Sequence, residues 1–241
     1  MLEQWQTGYV TKIVDATHNT RRFWISIPEK DRFDFKPGQF VTLDLPIHEK
    51  KNKRWRSYSI ASHPNGSNEI ELVIVLLEGG AGSTYLFNEI KEGSELTLRG
   101  PLGVFVLPEP LEKELFLICT GTGIAPFRSM VHHIKKHAIP YQKINLIFGC
   151  RYQKDLLYAE ELQQLQLEMP GFNYIPTLSR EDPNWHGQKG YVHKIYEEML
   201  AADKRPANFF LCGWKEMIDE ARQRIQAMGY DRKDIHLELY G

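Results

Sequence analysis

The sequence predicts two domains in series: an N-terminal antiparallel β-barrel, then an α/β domain on a doubly wound, five-stranded parallel sheet. Three observations lead there. The apolar pattern switches from short alternation to strand-then-helix alternation part-way along the chain, Pro108-Glu109-Pro110 stands at the switch, and a Gly-Thr-Gly turn follows the first buried strand of the second half.

From Gln6 to about Val106, segments such as Phe23-Trp24-Ile25-Ser26-Ile27 and Glu69-Ile70-Glu71-Leu72-Val73-Ile74-Val75 alternate with period two, separated by Pro37-Gly38, Asn65-Gly66 and Gly79-Gly80. One short helical stretch falls near Tyr85 to Ile90. After the proline pair, five buried-strand runs cover 115–119, 144–148, 172–177, 208–211 and 235–239. Helices fall between them, because Phe127, Met130, Val131 and Ile134 share one face. So do Val192, Ile195, Tyr196, Met199 and Leu200, and likewise Met217, Ile218, Ala221, Ile225 and Met228. The expected division is residues 1–106, a linker at 107–112, and 113–241.

Thirty basic and 31 acidic residues give a net charge of −1, which lacks the footprint of a nucleic-acid binder. No apolar run reaches membrane-span length and the first ten residues carry no leader pattern, so no membrane is expected and the cytoplasm is the expected location. Cys119, Cys150 and Cys212 are too few and too far apart for a disulfide framework or an iron–sulfur clip. His132, His133 and His137 share a helix without an acidic or thiol ligand nearby, and no metal site is expected.

Thr120-Gly121-Thr122-Gly123-Ile124-Ala125-Pro126 occupies the first strand-to-helix turn of the alternating domain, where backbone can approach a pyrophosphate at a helix N-terminus. A tight turn with proline in the first helical turn reads the same way. Arg56-Ser57-Tyr58-Ser59 alone reads as a surface strand edge. Gly79-Gly80-Ala81-Gly82-Ser83-Thr84 opens a short helix and is either a second phosphate site or a hairpin turn.

Taken together and in order, these segments resemble the ferredoxin–NADP reductase family of flavoproteins across nearly the whole chain. Also matching are Pro37-Gly38-Gln39-Phe40, Gly80 through Leu86, Gly100-Pro101-Leu102-Gly103, Leu156-Leu157-Tyr158, Ser179-Arg180-Glu181, Cys212-Gly213 and Glu238-Leu239-Tyr240. The resemblance implies an FAD-binding barrel and a nicotinamide-dinucleotide domain. Arg56 and Ser57 would belong to the FAD site, with Arg56 on the pyrophosphate, Tyr58 packed on the flavin, and Ser59 near the hydride-accepting nitrogen. Gly82, Ser83 and Thr84 would cradle the pyrophosphate, favouring FAD over FMN, and Thr122 would line the junction of the two cofactors. Gly121 and Gly123 would approach the nicotinamide dinucleotide, and Cys212, ahead of Gly213, would end its strand beside the transferring carbon. Tyr240 would stack on the flavin and Glu238 would relay protons, although Gly241 follows where plant-type relatives end on the aromatic.

Arg151, Ser179, Arg180, Lys189 and Tyr191 match the 2′-phosphate set of NADP-using relatives, so NADP(H) is the expected coenzyme despite Asp155 nearby. Without its own cluster, the chain is expected to hand electrons to a ferredoxin or flavodoxin. The run His48, Lys50, Lys51, Lys53 and Arg54 either docks that acidic carrier or forms a solvated basic loop. The alternatives are an NADH-dependent reductase serving an oxygenase, cytochrome or free flavin, and a non-catalytic redox-sensing module. Oligomeric state is not legible.

Overall fold

The structure, a computed structural model, describes residues 4–180 and 183–239. Its two compact units are residues up to Val106 together with Ala125–His133, and Leu107–Ile124 together with the residues from Ile134 onward.

The first unit contains strands β1 (Gln6–Thr17), β2 (Thr20–Ser26), β3 (Phe40–Asp44), β4 (Trp55–Ser59), β5 (Glu69–Val75), helix α1 (Ala81–Asn88) and strand β6 (Glu95–Leu102). The strand order is β4-β3-β6-β1-β2-β5, with antiparallel pairing throughout. An antiparallel bridge from Ile60 to Leu72 and the Ala61 N–H bond to Glu71 O at 2.8 Å bring the two end strands together and close the barrel. Closure removes the exposed edges of an open sheet. Inward residues including Phe23, Ile25, Val41, Leu43, Leu72 and Leu98 form its core.

Period-two alternation predicts that Glu71 faces water, but β5 is buried on both faces and Glu71 is 2% exposed. Its carboxylate meets Arg22 Nε at 2.6 Å and Arg128 Nη1 at 2.9 Å, and Arg128 Nη1 also donates to Ala61 O at 2.9 Å. A buried carboxylate is tolerable only when paired in this way. Removing it leaves buried guanidinium charge uncompensated, so Glu71→Ala should cost about 3 kcal/mol in denaturant unfolding; a loss below about 1 kcal/mol would show that the ion group is dispensable.

The second unit holds β7 (Glu114–Thr120), β8 (Ile144–Cys150), α3 (Ala159–Glu168), β9 (Phe172–Leu178), β10 (Gln188–Lys189), α4 (Val192–Leu200), β11 (Ala207–Gly213), α5 (Lys215–Ala227) and β12 (Ile235–Leu239). Helix α2 (Ile124–Lys136) follows β7, and its residues 125–133 pack with the first unit. The parallel order β10-β9-β8-β7-β11-β12 contains the five expected strands plus β10, which is only two residues long. The apolar helix faces are buried as their periodicity predicts, with Met199 and Met228 at the margin. At the N-terminal ends of the strands, Asn173 donates to Asn145, Asn145 to Glu114, and Arg205 to the same carboxylate. That polar chain fixes one end of the sheet, while the loops at the carboxyl ends carry the site, as in other wound sheets. Among the described residues no helix is long and apolar enough to cross a membrane.

Candidate functional site

Candidate groups occur on each of the two units. On the barrel, β4 pairs with β3 so that Arg56 lies opposite Leu43 and Tyr58 opposite Val41, which puts Arg56 and Tyr58 on one face and Ser57 and Ser59 on the other. Arg56 Nη1 donates to Trp55 O at 2.8 Å and Lys53 O at 3.0 Å, which pins the guanidinium while other donors remain. Its stem crosses the start of α1, since a Cβ on Gly82 would fall 2.9 Å from Arg56 Cγ. Helix α1 begins at Gly80 without a side-chain cap, which leaves its first-turn amides beside the Arg56 stem.

Ser83 lies in the first turn of α1. Its hydroxyl is occupied in the loop, accepting from Leu77 N at 3.0 Å and donating to Gly80 O at 3.1 Å. The side chain shapes the turn, while Thr84 is exposed. Ser57 shares a hydrogen bond with Thr42 at 3.0 Å, and Ser59 is buried. Burial pushes the Tyr58 phenol up to about 12, with Arg56 opposing, so it stays neutral at any working pH.

On the wound sheet, β7 runs into the single 3-10 turn Gly121–Gly123 and then α2. Gly121 has φ +54°, and a Cβ on Gly123 would fall 2.4 Å from Cys212 O, so only glycine lets the turn lie against the end of β11. Trp214 N donates to Thr120 Oγ1 at 3.3 Å, locking the two segments together. Cys119, Cys212 and Glu238 lie in one row across β7, β11 and β12. Cys212 is fully buried, and burial pushes the neighbouring Cys119 thiol well up with Cys212 adding to the effect. The Cys150 thiol is likewise pushed up to about 12, chiefly by burial, so neither is a thiolate. Trp214, half exposed beside Gly121, was not singled out from sequence; its place directly after Cys212-Gly213 was the available signal.

The third group lies at the ends of β8 and β9. Ser179 N donates to Cys150 O at 2.9 Å and Arg180 N to Arg151 O at 3.1 Å, holding these two exits side by side. Strand β10 then returns Lys189 opposite Leu178, with Gly190 N bonded to Leu178 O at 2.8 Å. Arg151, Arg180, Lys189 and Tyr191 are all exposed there. Asp155 is turned into its own loop, accepting from Tyr152 N at 3.0 Å.

Elsewhere, Arg54 is ion-paired with Asp44 at 2.7 Å and His48 Nδ1 accepts from Lys50 N, which leaves Lys50, Lys51 and Lys53 as the exposed cations of that run. His132 stacks on His63, and among the described residues no three potential ligands gather for a metal. Tyr240 lies outside the described residues.

The oxidoreductase FAD-binding domain family matches residues 7–107, and the oxidoreductase NAD-binding domain family matches residues 117–223. Ferredoxin–NADP reductase B of Sorangium cellulosum is 36% identical over 214 residues, 86% of each chain. The chain belongs to the ferredoxin–NADP reductase family. The glycine betaine monooxygenase reductase subunit of Pseudomonas aeruginosa is 31% identical over 95% of this chain, which spans 63% of that protein. A solved ferredoxin NADP+ reductase from Neisseria gonorrhoeae with bound FAD and NADP superposes with TM-score 0.82 at 27% identity, covering 98% of this chain and 99% of that one. As a family member the chain is an oxidoreductase that uses FAD and a nicotinamide dinucleotide. The glycine-bounded turns and the uncapped start of α1 beside Arg56 fit those cofactors.

Proposed function

We propose that this reductase oxidises NADPH and delivers the electrons to a separate acidic carrier of the ferredoxin or flavodoxin kind, in the cytoplasm. The observation that carries the coenzyme choice is the gathering of Arg151, Ser179, Arg180 and Lys189 at the ends of β8 and β9, with Asp155 turned away. A 2′-phosphate dianion needs several charge-assisted donors to leave water, and this group supplies them. Tyr191 adds an exposed aromatic face beside them.

Bound FAD supplies the conversion between two-electron hydride chemistry and one-electron transfer. Arg56 and the first-turn amides of α1 hold its pyrophosphate. Tyr58, kept neutral, would pack against the flavin, and the buried Ser59 hydroxyl would supply a hydrogen bond to it. Gly121, Thr122 and Gly123 take the dinucleotide at the head of α2, and Cys212 with Gly213 bounds the nicotinamide end. Glu238, beside Cys212 in the sheet, would handle the proton, and Tyr240, outside the described residues, would be the aromatic partner of the flavin.

The similarity to an oxygenase reductase subunit favours a second acceptor class, an oxygenase in place of a small carrier. Steady-state reduction of ferredoxin, compared between NADPH and NADH, tests the proposal. NADPH should be preferred and ferredoxin reduced, whereas NADH preference with no ferredoxin turnover would sink it. Lys50→Glu, Lys51→Glu and Lys53→Glu together should slow carrier reduction about tenfold at low salt, an effect that fades as salt screens the attraction. A rate unchanged at every ionic strength would remove the basic run from docking.

A further inference from the structure

The two edges of the parallel sheet are finished differently. Along β9, Phe172 N donates to Met169 O at 3.0 Å, Tyr174 N donates to Gln166 Oε1 at 2.6 Å, Pro176 has no amide, and Leu178 O takes Gly190 N. Next to the two-residue β10, these β9 amides are thus engaged or absent, a protection against sheet-to-sheet association. The opposite edge, β12, is hydrogen-bonded only to β11 among the described strands. Its apolar side chains Leu237 and Leu239 are 38% and 49% exposed, an exposure that natural sheet edges normally avoid.

The sequence of β12 is complementary to itself. Laid antiparallel about Leu237, Ile235 opposes Leu239 of the second strand and His236 opposes Glu238, each pair occurring twice. Apolar groups then meet on one face and a base meets a carboxylate on the other. The imidazole of His236 is held on that polar face by stacking on Phe210, with ring centroids 4.4 Å apart and a 17° tilt. Other registers lose this match: centring on Glu238 or on His236 puts like groups opposite, and a one-residue slip sets apolar side chains against polar ones.

We propose that β12 pairs antiparallel with β12 of a second copy of this chain, joining two six-stranded sheets into one across a two-fold axis. Such an interface is isologous and closes after two subunits. Five residues of strand make a small interface, so association is weak and concentration-dependent.

Sedimentation velocity of the FAD-loaded protein over a concentration series tests it. The expected result is a rise from monomer to twice that mass. Leu237→Lys, which sets two ammonium groups face to face at the axis, and His236→Glu, which creates two carboxylate pairs, should each abolish the rise, whereas His236→Lys should keep it. Should Leu237→Lys fail to fold by circular dichroism, the two His236 variants carry the comparison alone. A wild-type chain that stays monomeric throughout overturns the proposal, as does a dimer that survives His236→Glu. A monomer whose β12 amides gain hydrogen-exchange protection only when a carrier protein is added also overturns it, and assigns the edge to that carrier. The readout is mass, so failure here leaves the proposed electron transfer standing.

Discussion

Replacing Arg180 by alanine should lower kcat/KM for NADPH about 30-fold while changing that for NADH less than about 3-fold. The two coenzymes differ only by the 2′-phosphate, so a residue that touches that group alone moves one constant and not the other. Arg180 is exposed at the end of β9, and its backbone is held to Arg151 by a 3.1 Å hydrogen bond, so truncation removes a guanidinium without disturbing a packed core. A charge-assisted pair at a partly solvated site is worth about 2 kcal/mol, which is the factor expected. Equal losses for both coenzymes would end the assignment.

Removing the Arg56 guanidinium should raise the FAD dissociation constant about 100-fold and yield largely colourless protein, because the proposed charge-assisted bonds to the pyrophosphate would be lost. Gly82→Ala tests the same geometry from the other side. The added methyl would stand 2.9 Å from the Arg56 stem and push the guanidinium off the helix start, while the helix itself gains propensity. A roughly tenfold weakening of FAD with unchanged apoprotein stability is expected. Normal flavin content in Arg56→Ala would place the pyrophosphate elsewhere.

The barrel and the wound sheet were legible because their apolar periods differ, and the helix faces around Phe127, Val192 and Met217 were legible for the same reason. What escaped the sequence has identifiable causes. Strand β10 has two residues, too few to show any period. Glu71 reads as a solvent-facing residue of an alternating strand until Arg22 and Arg128, 49 and 57 positions away, are seen to neutralise it in the interior. The Ser83 hydroxyl closes the loop at Leu77, a contact that only the folded backbone reveals. Arg99 lies within 4.7 Å of both the Trp5 and Trp55 rings, a stacking between the chain start and two strands that no local pattern signals. The residues proposed for the 2′-phosphate could be named from sequence because they follow strand ends, where wound sheets place their ligands.

The most direct test of the central claim is an anaerobic titration of the purified protein with NADPH, followed through the visible flavin absorbance. A yellow protein bleached by one equivalent, with the colour restored as a ferredoxin is reduced in the same cuvette, is the predicted result. A protein that binds FAD yet keeps its colour in excess NADPH and NADH alike would contradict it.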